Sequence, residues 1–143
     1  MTPLMIAAQL GRVQNCTVIL ELAKKMKLQT KSLVNRVDGN NYTSLHYAAE
    51  GGHPEIINTL QRFGADLDKP LGIKCKRMTP LMLTCRLGHF KAAEALLKCG
   101  AKIEIRDSLG RTGLMHGALN GHYPLGNAFV NSELSGFVPV RFL

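Results

Sequence analysis

Closely spaced metal ligands are missing from this chain. It has four cysteines, Cys16, Cys75, Cys85 and Cys99, and no Cys-x-x-Cys pair. A zinc site would want paired Cys or His ligands at short spacing, so no metal is expected. The cysteines show no tight pairing. They fit free thiols acting as small apolar filler in a reduced, intracellular setting, cytoplasmic or nuclear. No apolar run is long enough to span a bilayer. The first residues lack the charged-then-apolar layout of a secretory signal. The Asn-x-Thr sequons at Asn15 and Asn41 therefore carry little weight.

Catalytic signatures are also missing. There is no Gly-x-x-x-x-Gly-Lys-Ser/Thr phosphate loop, no Gly-x-Ser-x-Gly elbow and no His-Glu-x-x-His pair. Glu50, Glu55 and Glu94 have no mutual arrangement suited to acid–base work. Neither an enzyme nor a cofactor is expected. Acidic residues are in deficit: 10 Asp and Glu face 18 Lys and Arg, leaving a net charge of +8. That balance favours an acidic protein surface, nucleic acid or an anionic membrane, without choosing among them. No aromatic–basic stacking pattern supports nucleic acid, and a nucleic acid or membrane partner is not expected.

What the chain does have is one phrase used four times. Thr2-Pro3-Leu4-Met5 leads to Gly11, Thr43-Ser44-Leu45-His46 to Gly52, Thr79-Pro80-Leu81-Met82 to Gly88, and Thr112-Gly113-Leu114-Met115 to Gly121. The glycine always falls nine residues after the threonine, while successive threonines lie 41, 36 and 33 residues apart. Fixed spacing within a unit and variable spacing between units mean stacked modules with insertions at one place.

Each module reads as two short helices. Thr79 caps the first through its hydroxyl, and Pro80 suits the first helical position, where its missing N–H costs nothing. Gly88 ends that helix in the left-handed conformation. His89 and Phe90 open a second helix, in which Ala92, Ala93, Leu96 and Leu97 recur at three- and four-residue spacing and mark a buried face. The second copy repeats the plan with Leu45, Ala48 and Ala49, then Ile56, Ile57 and Leu60. Between modules, residues 34–42, 67–78 and 103–111 should project as fingers. Asp38-Gly39-Asn40 and residues 107–110 supply turn chemistry, and Ile103-Glu104-Ile105 alternates as a short strand would.

These motifs together resemble the ankyrin-repeat family: Thr-Pro-Leu-His, two small residues, glycine-histidine, a leucine-rich helix and Gly-Ala. Residues 43–66 and 79–102 match most fully, and the resemblance spans roughly residues 2–122. It implies an all-α repeat solenoid of helix–turn–helix units with short β-hairpin fingers, non-catalytic and used to bind other proteins. The repeats fall at about 2–33, 34–66, 67–102 and a degenerate 103–131, followed by an apolar tail at 132–143. Met5, Met82 and Met115 replace the family histidine that His46 keeps, which removes one local polar link per repeat. Residues 22–33, with four lysines, should extend the second helix of repeat 1. In repeat 4, Gly126 is a weak helix former, and residues 127–131 should form only one or two turns. The chain starts inside a repeat and ends in an apolar tail, which suits a fragment of a longer array, or a complete protein whose tail serves as a cap.

His53, His89 and His122 follow the turn glycines, and the resemblance gives them, with His46, structural roles at the turns. His116 could face the concave side. The feature to single out is basic. Lys69, Lys74, Lys76 and Arg77 share one finger, Arg86 follows on the next first helix, and Arg106 and Arg111 lie on the next finger. Parallel stacking would align them as a ridge for an acidic partner. With Tyr42, Tyr47 and His116, these residues are the expected partner-binding set. The alternatives are a segment of a larger multidomain protein without an independent role, and weak basic-surface binding to nucleic acid or anionic lipid.

Overall fold

The computed structural model describes the backbone of residues 1–135. Nine α-helices lie within them: Pro3–Gln9 (α1), Val13–Lys25 (α2), Thr30–Val34 (α3), Ser44–Gly51 (α4), Pro54–Arg62 (α5), Pro80–Leu87 (α6), Phe90–Lys98 (α7), Gly113–Leu119 (α8) and Pro124–Ser135 (α9). A 3-10 turn spans Ile73–Cys75. The first helices α1, α4, α6 and α8 pack side by side in one layer, and α2, α5, α7 and α9 form a second layer behind them. This is an all-helical solenoid of stacked hairpins.

The repeated phrase does the local work expected of it. The hydroxyl oxygens of Thr2, Thr43, Thr79 and Thr112 accept from the backbone N–H three residues on, at 3.2, 3.4, 3.3 and 3.4 Å. Each hydroxyl satisfies one of the N–H groups a helix start leaves open. Gly52 and Gly88 end α4 and α6 with φ of 72° and 76°, a region closed to most other residues. Leu4, Leu45 and Leu81 are buried beside the small Ala8, Ala49 and Cys85, and Ile57, Leu60 and Leu96 continue the same core from the second layer.

Four expectations need correction. First, the fingers contain no strand among the described residues. Asp38 N–H donates to Tyr42 O and Asp107 N–H to Arg111 O, at 3.0 and 2.9 Å. In a strand pair the return bond would come from the N–H of Tyr42 or Arg111, but the Asp38 and Asp107 carboxylates take both. The ladder stops at one rung. Ile103 and Ile105 instead pack on the core from an irregular segment.

Second, the lysine-rich segment does not extend α2. The helix closes at Lys25, Lys27 turns left-handed with φ of 57°, and Leu28 N–H folds back onto Ala23 O. That closure starts the separate helix α3, which buries Val34. Third, α9 runs for twelve residues despite Gly126. Leu125 and Phe129, one turn apart, are 1% and 5% exposed, and their burial overrides a weak propensity. The apolar tail expected at 132–143 opens inside α9, and from residue 136 onward it lies outside the described residues. Fourth, Met5 keeps part of the lost polar link, because its Sδ accepts from Thr2 N–H at 3.4 Å.

Candidate interaction face

The fingers and first helices meet along one face, and two carboxylates organise it. Asp38 accepts from Asn40 N–H and Tyr42 N–H, at 2.9 and 3.0 Å, and from the Tyr47 hydroxyl at 2.6 Å. Burial pushes the Asp38 carboxyl up, but these donors more than offset it and hold it below its usual range. Burial, then the Asp38 contact, pushes the Tyr47 phenol up. Asp107 repeats the pattern. It accepts from Leu109 N–H and Arg111 N–H, each at 2.9 Å, and its Oδ2 lies 2.8 Å from His116 Nε2. The charge patterns of the sequence had not linked these pairs. The signal was positional: each aspartate stands five residues before a capping threonine, and its partner stands four residues after it.

His116 is thereby corrected. It is 4% exposed, turned onto its own finger and away from any partner. The other histidines are joints. Nε2 of His53, His89 and His122 points at the backbone carbonyls of Gln9, Glu50 and Arg86 in the preceding repeat, at 3.2, 3.0 and 3.1 Å. A carbonyl only accepts, so each Nε2 carries the proton. His46 holds Thr43 N–H on Nδ1 at 3.1 Å and donates from Nε2 to Lys69 O at 2.9 Å. Its burial lowers its pKa to about 4, so it is neutral at pH 7. Among the described residues no three His, Cys, Asp or Glu side chains converge as a metal site would.

The remaining expected residues fall into a tyrosine pair and a set of basic residues on two neighbouring fingers and α6. Tyr42 and Tyr47 are half-buried, with ring centroids 5.0 Å apart. The Tyr42 phenol is pushed up by burial first and by Glu50, and pulled the other way by the Arg86 guanidinium nearby. Lys74, Lys76, Arg77, Arg86 and Arg106 are exposed and Arg111 is half-buried. Lys76 and Arg77 sit at a tight turn with φ of 57° and 54°. Neighbouring fingers are tied: Gly72 N–H donates to Asn40 O at 3.3 Å, and Ser108 N–H to Lys76 O at 2.8 Å. The second bond sets the Lys74–Arg77 turn beside the finger of Arg106 and Arg111. Arg106 bends back to donate to Gly110 O, which pulls it off the common line. Among the described residues the close acid–base contacts are Lys98–Glu94 and His116–Asp107, and none of these finger cations has a carboxylate partner there.

The profile of the family described as ankyrin repeats, three copies, matches residues 1–70 and again 63–135. This chain belongs to the ankyrin-repeat family. It is 32% identical over 121 residues to the poly(ADP-ribose) polymerase tankyrase of Caenorhabditis elegans, covering 78% of the chain and 5% of that protein. It is 30% identical over 135 residues to the probable E3 ubiquitin-protein ligase XBOS31 of Oryza sativa subsp. japonica, covering 94% of the chain and 28% of the ligase. Human ankyrin repeat and KH domain-containing protein 1 matches at 30% over 111 residues, 78% of the chain and 4% of its own length. The chain thus spans less than a third of the length of these relatives. Ankyrin repeats generally mediate protein–protein interaction.

Proposed function

We propose that this ankyrin array is a docking module whose finger-and-first-helix face holds an acidic protein surface. The observation that carries the reading is the Ser108–Lys76 bond, which sets two basic fingers side by side, with Arg86 exposed on the first helix that follows the Lys74–Arg77 turn. Rigid stacking limits the ordering cost of binding. Tyr42 and Tyr47 add contact area with few rotamers to lose, and the arginines offer bidentate pairing with carboxylates. Four free thiols suit a reduced, intracellular setting.

The test is affinity capture from cell extract with the wild-type chain and with Arg77→Glu/Arg86→Glu. Proteins retained by the first and lost by the second support the reading, and equal recovery removes the ridge from it. Retention of nucleic acid, falling steeply with salt, would replace it. The lengths of the relatives favour a second reading, in which the array is the recognition segment of a larger protein. The same two substitutions in a longer gene product would then redirect its partner without touching its other domains.

A further inference from the structure

Two basic fingers meet at a serine. Among the residues whose exposure is described, Ser32 and Ser108 are the exposed serines, and no threonine is exposed. Ser32 lies within α3, whereas Ser108 opens the exposed tip Ser108-Leu109-Gly110 of the last finger. Its backbone N–H donates to Lys76 O at 2.8 Å, so the tip rests against the Lys74–Arg77 turn. Lys76 and Arg77 are exposed there. Arg106 reaches over the same tip and donates from Nη1 to Gly110 O at 2.8 Å. A guanidinium carries five N–H donors, and that bond uses one.

The acids nearby do not offset these charges. The Asp107 side chain is 0% exposed and is held from within by Leu109 N–H, Arg111 N–H and His116. Glu104 is the other acid of this finger, against Lys76, Arg77, Arg106 and Arg111. In sequence, Arg106 precedes Ser108 by two residues and Arg111 follows it by three. A protein kinase that selects for positive charge reads flanks of this kind. The fold adds further cations from the neighbouring finger. A phosphoserine brings up to two negative charges and three strong acceptor oxygens, which cations within reach turn into charge-assisted hydrogen bonds.

We propose that Ser108 is a phosphorylation site, and that its phosphate clamps the two fingers together and closes the ridge to acidic partners. A basic-directed serine kinase supplies the group from ATP. Ser108 Oγ bonds to the γ-phosphorus, and the bond from that phosphorus to the β,γ-bridging oxygen breaks. ADP leaves, and the hydroxyl proton passes to the catalytic base of the kinase. Lys76, Arg77 and Arg106 then hold the phosphate, and the junction of the fingers loses its positive charge. The clamp stands on the finger geometry alone, whereas the closure rests on the docking reading above.

The folded chain is treated with ATP and a basic-directed serine kinase, beside a synthetic peptide of residues 104–111, and the phosphate is located by mass spectrometry. Ser108 should be modified in the folded chain, and Ser108→Ala should lose that modification. Modification of the peptide but not of the folded chain overturns the site. Phosphorus NMR then follows the phosphate as pH is varied. A free phosphoserine loses its second proton near about pH 6. The cations should lower that midpoint by about one unit, and Lys76→Gln/Arg77→Gln, which leaves the flanks of Ser108 intact, should remove most of the drop. An unshifted midpoint overturns the clamp. Closure is read by the anisotropy of a fluorescent polyglutamate peptide at low salt. Phosphorylation should weaken its binding by about tenfold, and Ser108→Ala treated in parallel should keep it. A lowered midpoint with unchanged peptide affinity overturns the closure. Where Arg77→Glu/Arg86→Glu binds the peptide as well as the unmodified chain does, the docking reading falls and takes the closure with it, while the midpoint still decides the clamp.

Discussion

His116 Nε2 and Asp107 Oδ2 lie 2.8 Å apart with side chains 5% and 0% exposed, and the pair fastens the last finger to α8. The Tyr47 hydroxyl holds Asp38 in the same register two repeats earlier. His116→Ala would strand a buried carboxylate with fewer donors, at a cost of roughly 2–4 kcal/mol. Urea denaturation should show the loss, and a change under about 1 kcal/mol would mean that backbone donors alone hold the finger. Donors keep the Asp107 carboxyl below its usual range, against a burial that pushes it up. Its contribution is therefore present above the unfolded value near 4 and is lost as pH falls through the lower folded value.

His46 acts in a different window. Its folded pKa is about 4 against 6.5 unperturbed, so the unfolded chain binds the extra proton between those values. Stability should be full above pH 6.5 and decline toward pH 4, by on the order of 3 kcal/mol. His46→Met installs the residue that the other three repeats carry. It should flatten the stability–pH profile between 6.5 and 4, while lowering stability at pH 7 by roughly 1–2 kcal/mol for the lost bond to Lys69 O. An unchanged slope in that window would show that another group titrates there.

Gly88 and Gly100 separate strain from contact. Both have positive φ, 76° and 102°. A Cβ on Gly88 would sit 2.7 Å from the His122 ring, while one on Gly100 meets nothing within 4 Å. Gly100→Ala should cost about 1 kcal/mol, from backbone strain alone. Gly88→Ala should cost roughly 1 kcal/mol more, and His122→Ala should remove that excess. Equal melting shifts for the two alanines would show that the ring moves aside freely.

Ser44 is 1% exposed, and its hydroxyl has no hydrogen-bond partner among the described residues. It occupies the first position of α4, where α1 and α6 carry Pro3 and Pro80. Thr43 already has ψ of 171°, close to the 161° and 165° of the threonines before those prolines, so the backbone is set for proline. Ser44→Pro should raise stability by about 1 kcal/mol. A fall in melting temperature would mean that the ring does not fit between α4 and its neighbours.

Much of the fold was legible because the phrase combines several local signals that agree: a capping hydroxyl, proline at the helix start and glycine at its end. Where the sequence reading failed, a distant contact had outweighed local preference. Gly126 argued against α9, but Leu125 and Phe129 bury enough surface to hold it. Ile103 and Ile105 alternate as a strand does, yet Asp107 consumes the donor that would extend the ladder. The charge pattern behind the candidate site was legible, and Arg77 and Arg86 are exposed. His116 was not, because its burial depends on a carboxylate nine residues away in the chain, brought near only when the finger folds back.

The backward-reaching histidines have one more consequence. His53, His89 and His122 grip Gln9, Glu50 and Arg86, an amide, an acid and a base. The grip falls on the main chain, so it is indifferent to the side chain above it. The coupling between neighbouring modules therefore places no demand on the outward-facing residue at each joint. Arg86 can belong to the recognition surface while its own carbonyl serves as the joint, and such a surface can diversify without loosening the stack beneath it.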